Sequence, residues 1–198
     1  MKCKNPKLAG RLTVFLMFLV ILPATVLADP GSQVVQPPML ALQRTRWIPI
    51  GSRHPVHVLY AFTDPNCPYC HKLWVAMQPY YHRDVQVRHI LVGIISASSP
   101  GKAAAILDAR DPSAALRKNE ARWGMRADGG GGIAPLAQPS STDLKILALD
   151  QALMQDFGIP GTPALMYQDK QGKIHVMAGL PDKTELAGII NAARVPTP

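Results

Sequence analysis

The fold of this chain is decided by the stretch Phe62-Thr63-Asp64-Pro65-Asn66-Cys67-Pro68-Tyr69-Cys70-His71-Lys72-Leu73-Trp74. The apolar run at 56–62 predicts a strand that is buried on both faces, and the residues after the cysteines predict a helix. Pro68 suits the first position of that helix, because its missing N–H would have no partner there. The two cysteines are therefore expected on the first helical turn, where unpaired N–H groups and the helix dipole favour an anion.

This placement has a chemical use. In Cys-x-x-Cys sites the pKa of the first thiol falls from about 8.5 to between about 3.5 and 7.5. We interpret Cys67 as an exposed nucleophile and Cys70 as the resolving thiol, one turn away, that attacks the mixed disulfide and releases the substrate. Tyr69 lies between them at the exposed helix tip and is expected to contact substrate. Asp64 is expected to cap the loop.

Other uses of the pair are less favoured. A structural disulfide would close a very small loop and remove little entropy from the unfolded chain. A structural zinc ion needs four ligands, and no second Cys-x-x-Cys or His-x-His pair is visible, so no metal site is predicted. The alternative that is not an enzyme is a Cu(I) carrier, which would bind the ion through both thiolates and a methionine or His71. His71 itself is expected to be a solvated helix residue that points away from Cys67.

The N-terminus has the pattern of a signal peptide, predicted over residues 1–28. Basic residues precede an apolar run at 12–22, which is shorter than the roughly 20 residues a membrane span needs. An uncleaved membrane anchor is the alternative. Cleavage would remove Cys3 and leave 17 basic and 13 acidic residues, a net charge of +4 compared with +8 for the full chain. These charges form no basic cluster, so we expect no nucleic-acid partner.

The remaining pattern predicts an α/β domain over 47–198, after a flexible lead-in at 29–46 that includes a short helix at 40–46. Strands are expected at 47–51, 56–62, 85–95, 164–167 and 173–178, and helices at about 67–81, 102–109, 112–123, 140–157 and 183–194. This order predicts a thioredoxin-like fold with an inserted helical subdomain at about 99–157. Within it, Gly129-Gly130-Gly131-Gly132 is expected to be a mobile loop. The third inserted helix should bury Leu144, Leu147, Leu149 and Leu153.

Three segments carry a family resemblance: the strand that leads into Cys67-Pro68-Tyr69-Cys70, then Gly161-Thr162-Pro163-Ala164, and finally Ala178-Gly179-Leu180-Pro181-Asp182. Together they resemble the DsbC/DsbG branch of periplasmic thiol:disulfide interchange proteins, DsbG most of all. The match extends from about Trp47 to the last helix.

The resemblance implies a periplasmic disulfide reductase or isomerase, including reduction of sulfenylated cysteines. Pro163 would be a cis-proline facing the cysteines. Thr162 and Pro163, with Pro68 and Tyr69, would bind the substrate. Exported proteins with disulfides or oxidised cysteines would be the substrates, and a membrane thiol reductase or oxidase the redox partner. No cofactor is implied, since the two sulfurs hold the electrons.

The chain departs from that family at its N-terminal side. DsbC and DsbG carry a dimerisation domain before the catalytic domain, whereas here only the lead-in lies between the predicted signal peptide and Trp47. We therefore expect a monomer with weak isomerase activity. A monomeric disulfide-forming oxidant is the alternative.

Overall fold

The computed structural model describes residues 38–196, so the predicted signal peptide lies outside the described residues. Within these residues the chain forms five strands and six helices. In order they are α1 Pro38–Arg44, β1 Ile48–Gly51, β2 His57–Thr63, α2 Pro68–Met77, β3 Val85–Leu91, α3 Ser99–Leu107, α4 Pro112–Ala121, α5 Ser141–Asp156, β4 Ala164–Gln168, β5 Ile174–Ala178 and α6 Lys183–Ala192.

The strands form one sheet in the order β1-β3-β2-β4-β5. β2 and β3 are parallel, with Thr63 opposite Leu91, whereas the other neighbouring pairs are antiparallel. The carboxyl ends of β2 and β3 therefore lie at the same edge of the sheet. Cys67 follows β2 at that edge, where ligand sites of open α/β sheets usually lie.

Both faces of β2 are covered, as its apolar run predicts. Val58, Tyr60 and Phe62 pack on one face with residues of α1 and with Met154 and Ile159. Leu59 and Ala61 face the opposite side and pack against residues of α2 and α6. Alternation along a strand sends successive side chains to opposite faces, so one strand joins two cores.

Three helices, α3 to α5, lie between β3 and β4, which confirms the inserted helical subdomain. Their apolar side chains form a third core with Ile48, Ile50 and Leu91 of the sheet. The prediction of which leucines α5 buries is partly wrong. Leu147 is buried, but Leu144 and Leu149 are 45% and 59% exposed, because the helix packs through Leu147 and Met154 instead.

The short helix expected at 40–46 within the lead-in is present, although it begins and ends two residues earlier. Residues 38–44 form α1, and Met39 and Leu42 are buried in the core beneath β2. Burial of these two apolar side chains offsets the entropy lost on ordering the segment. No helix within residues 38–196 has the length and apolar character needed to cross a membrane.

Candidate redox site

Cys67 is the N-cap residue of α2, and Pro68 is the first residue of the helix. The backbone N–H of Cys70 donates to the Cys67 sulfur at 3.3 Å. On the other side, the Cys67 thiol lies 3.3 Å from the Thr162 carbonyl oxygen, to which it donates. A sulfur at the N-cap position accepts a hydrogen bond from an amide of the first turn that has no partner within the helix, as the sequence predicts.

The exposure expected for Cys67 is wrong. Both cysteines are free thiols and both are buried, with 1% of Cys67 and 4% of Cys70 exposed. The physical reason lies in the contact with Thr162, because the loop before β4 lies directly against the sulfur. The Cys67 sulfur is therefore recessed beside this loop, while Pro68 and Tyr69 form the exposed helix tip.

The two thiols differ strongly in acidity. Hydrogen bonding from the Cys70 side chain is the largest effect on Cys67. Together with the Thr162 side chain and the backbone of residues 69 and 70 it outweighs burial and lowers the pKa of Cys67 to about 6. Burial, followed by the neighbouring Cys67, raises the pKa of Cys70 far above its ordinary value. At neutral pH the pair therefore holds one thiolate, on Cys67, and one thiol.

The Thr162–Pro163 peptide bond is cis, the isomer that the family resemblance implies. Pro163 is buried, and its carbonyl accepts from the backbone N–H of Gly179 at 2.8 Å. Tyr69 is 55% exposed and carries the Lys72 ammonium 5.0 Å from its ring centre. The structure thus brings Thr162 to Cys67 and leaves Tyr69 accessible at the same edge.

Asp64 organises the loop between β2 and α2. Its buried carboxylate accepts hydrogen bonds from the backbone amides of Asn66 at 2.8 Å, Ile94 at 2.6 Å and Ile95 at 3.0 Å, and from the Ser99 hydroxyl at 2.8 Å. The amides of Ile94 and Ile95 bond to this side chain instead of a neighbouring strand. This explains why β3 ends at Leu91, before the predicted 95.

A buried lysine links the same loop to the glycine segment, residues 129–132. Lys102 is fully buried, and its ammonium lies 2.8 Å from Asn66 Oδ1 and from the carbonyl oxygens of Gly129 and Gly131. It also pairs with Asp128 at 3.1 Å. The expectation of a mobile glycine loop is therefore wrong: the segment is packed and hydrogen-bonded beside Cys67.

His71 also differs from the solvated residue that the sequence predicts. Its Nδ1 lies 2.8 Å from Glu120 Oε2, and its ring stacks on Trp123 with 4.5 Å between centroids. Glu120 is buried on α4 and was not identified from the sequence, because the polar run around it resembles a solvent-exposed helix face. Lys102 was missed as well, although a single charge within an alanine-rich apolar segment is a signal of a buried, paired cation.

The arrangement supports thiol chemistry. It combines a stabilised thiolate, a second thiol one turn away and a neighbouring backbone carbonyl. Within the described part of the chain, no three His, Cys, Asp or Glu side chains come together as a metal site would require.

Comparison with known proteins gives the same fold. Residues 50–194 match the family described as thioredoxin-like domain. The thiol:disulfide interchange protein DsbG of Pseudomonas aeruginosa is 36% identical over 150 residues, which cover 75% of this chain and 57% of that protein. DsbG of Escherichia coli is 34% identical over 146 residues, 73% of this chain and 57% of that protein. The chain thus spans a little over half the length of these relatives.

Solved structures agree at the level of the fold. Proteus mirabilis ScsC in a compact conformation superposes with a TM-score of 0.60 at 24% identity, covering 76% of this chain and 74% of ScsC. A thioredoxin-like oxidoreductase from Silicibacter pomeroyi gives 0.58 at 19% identity, covering 76% and 94%. From its sheet, its cysteine pair and its match over most of its length, the chain belongs to the thioredoxin-like domain family, and it is similar to DsbG.

Proposed function

We propose that this protein is a periplasmic thiol-disulfide oxidoreductase that reduces or isomerises the disulfides of exported proteins. One observation carries the proposal: the Cys67 sulfur caps α2, next to the Thr162 carbonyl, with a pKa lowered to about 6 while that of Cys70 is raised. The similarity to DsbG supports the same reaction.

The reaction balances on the two sulfurs. The Cys67 thiolate attacks one sulfur of a substrate disulfide, a Cys67–substrate disulfide forms, and the other substrate sulfur leaves as a thiolate that takes up a proton. Cys70 then loses its proton and attacks the Cys67 sulfur. The second substrate thiolate leaves and is protonated in turn, so two electrons pass to the substrate and a Cys67–Cys70 disulfide remains.

Two further substrate reactions belong to the same site. With a sulfenylated cysteine, Cys67 attacks the sulfur and the hydroxyl leaves as water after protonation, which gives the same mixed disulfide. In isomerisation, a substrate thiol attacks the mixed disulfide before Cys70 does. Thr162 and Pro163, with Pro68 and Tyr69, are the residues that we propose to hold the substrate chain. An exported protein is the expected substrate and a membrane thiol reductase the expected partner.

Disulfide formation is a second candidate. A stabilised thiolate favours the reduced form of the cysteine pair, and this makes the disulfide form of the pair a stronger oxidant. The pKa of about 6 for Cys67 lies between that of thioredoxin, about 7, and that of strong oxidants, about 3.5. Equilibration with glutathione separates the two directions. A potential near about −270 mV indicates a reductant, and one near about −120 mV an oxidant.

The decisive test is to trap the covalent intermediate. We expect Cys70→Ala to accumulate a mixed disulfide with a disulfide-bonded peptide, seen by mass spectrometry, and Cys67→Ala, the matched control, to form none and to lose insulin reduction. Absence of a trapped complex would contradict the proposal, as would tight Cu(I) binding without turnover. The monomeric state stays a prediction, and a stable dimer in light scattering at micromolar concentration would contradict it.

A further inference from the structure

A hydrogen-bonded pair of a histidine and a buried glutamate lies next to the two cysteines. His71 follows Cys70 on α2, and its backbone N–H donates to the Cys67 carbonyl at 3.1 Å. Its Nδ1 lies 2.8 Å from Oε2 of Glu120, whose side chain is 1% exposed. We propose that this pair controls the charge on the Cys67 sulfur: the Glu120 carboxylate opposes the thiolate, and the His71 imidazole holds that carboxylate in place by a hydrogen bond. The inference rests on the proposed role of Cys67 as nucleophile.

The pair is fixed in position. Asn119 Nδ2 donates to Glu120 Oε1 and to the Pro65 carbonyl, both at 3.1 Å, so the carboxylate is tied to the loop that carries Cys67. The stacked ring of Trp123 holds the imidazole from its other side. Each carboxylate oxygen of Glu120 therefore has a hydrogen-bond partner in the protein.

Electrostatics couples this carboxylate to the sulfur. Burial raises the pKa of Glu120, the His71 hydrogen bond lowers it, and the charge of Cys67 raises it. The interaction between two ionised groups acts equally on both, so an ionised Glu120 disfavours the Cys67 thiolate by the same energy. Salt screens such a buried interaction much less than one at the surface.

The other charged neighbours do not replace this effect. Burial, with a smaller contribution from Glu120, raises the pKa of Tyr81, so that its hydroxyl stays protonated, while Arg117 acts on it in the opposite direction. An arginine keeps its charge throughout. Cys67 therefore brings to Glu120 a charge that changes between the thiolate and the disulfide.

Glu120→Gln tests the proposal, since the amide keeps the shape of the side chain but removes its charge. We expect the pH midpoint of Cys67 thiolate formation, followed by thiolate absorbance and by alkylation rate, to fall by about one unit. At a pH where the thiolate predominates, the dithiol would then be favoured over the disulfide by up to about tenfold.

Asp84→Asn is the matched control. It removes the same charge from an exposed carboxylate just before β3, at the opposite end of the sheet, and should leave the Cys67 midpoint unchanged. An unchanged midpoint in folded Glu120→Gln would overturn the proposal. A purely structural role for Glu120 would change stability without moving this titration.

A second measurement needs no variant. In the wild-type protein, the Glu120 carboxyl should titrate at higher pH in the reduced form, which carries the thiolate, than in the oxidised form; carbon NMR of the side chain measures both. Equal midpoints would overturn the proposal. Failure of the mixed-disulfide trap would instead contradict the proposed function itself, so the two outcomes are distinguishable.

Discussion

At the scale of single residues, the site depends on two chemically identical side chains in unlike surroundings. Cys67 accepts an amide hydrogen bond at a helix N-terminus, and Cys70 sits one turn inside the same helix. Hydrogen-bond donors stabilise the anion on the first sulfur, whereas burial and the neighbouring Cys67 outweigh the donors at the second sulfur and disfavour an anion there. This asymmetry fits the separate roles proposed for the two thiols.

The lowered pKa of Cys67 also predicts a pH-dependent stability. A group whose pKa is depressed on folding contributes stability above its unfolded pKa, here 9.0, and loses that contribution as the pH falls through its folded value of about 6. Between about pH 8 and about pH 5, the reduced protein should lose about 2 kcal/mol of unfolding free energy relative to Cys67→Ser.

Urea unfolding of both proteins under reducing conditions measures this difference, and other titrating groups largely cancel in the comparison. The oxidised protein is the control, because its disulfide carries no thiolate and its pH profile should parallel that of Cys67→Ser. A reduced protein with the same profile as Cys67→Ser would show that folding does not stabilise the thiolate.

At the scale of elements, the glycine segment shows how a loop can be held by close packing. A side chain at Gly131 would overlap the Asn119 amide, which itself contacts Glu120 and the Pro65 carbonyl. Lys102, which belongs to α3, donates hydrogen bonds to the carbonyl oxygens of Gly129 and Gly131. The segment therefore acts as one wall of the loop that carries Cys67.

Gly131→Ala should thus destabilise the protein by about 2 kcal/mol, because the hydrogen-bonded Asn119 side chain must move to admit the methyl group. Gly188→Ala is the matched control. Nothing lies within 4 Å of its added carbon on the exposed face of α6, and alanine there should stabilise the helix by up to about 1 kcal/mol. Thermal unfolding compares the two variants, and equal effects would contradict this account.

The elements that the sequence predicts well are those with local signals. The apolar run of β2, Pro68 at the start of α2 and the Asp182 cap of α6 each act within a few residues. The failures concern contacts between distant positions. His71 and Glu120 are 49 residues apart and Asn66 and Lys102 are 36 apart, so no periodicity or spacing could pair them.

At the scale of the whole molecule, α1 is part of the domain rather than an appendage. Leu42 is fully buried beneath β2 with Met39, although the family match begins only at residue 50. The helix has seven residues, too few to be stable in water by itself, so its order depends on this packing.

Leu42→Ala should therefore lower the unfolding free energy of the whole domain by about 3 kcal/mol in a single transition. Leu149→Ala, on the exposed side of α5, is the control and should change stability by less than about 0.5 kcal/mol. Separate loss of α1 before the main transition, seen as a second phase in circular dichroism, would contradict this prediction.

The recess around Cys67 has a consequence for the lifetime of the enzyme. A thiolate that is present at neutral pH is also the form that hydroperoxides convert to sulfenic and then irreversibly to sulfinic acid. With 1% of Cys67 exposed, acidity and accessibility are separated: the sulfur is activated, yet few molecules collide with it. Under the proposed function, a substrate chain binds along the Thr162 loop and brings its own sulfur into the recess, whereas a freely diffusing oxidant has no such guidance. Enclosure of the Cys67 sulfur thus favours exchange with a bound substrate over oxidation of the sulfur by small molecules.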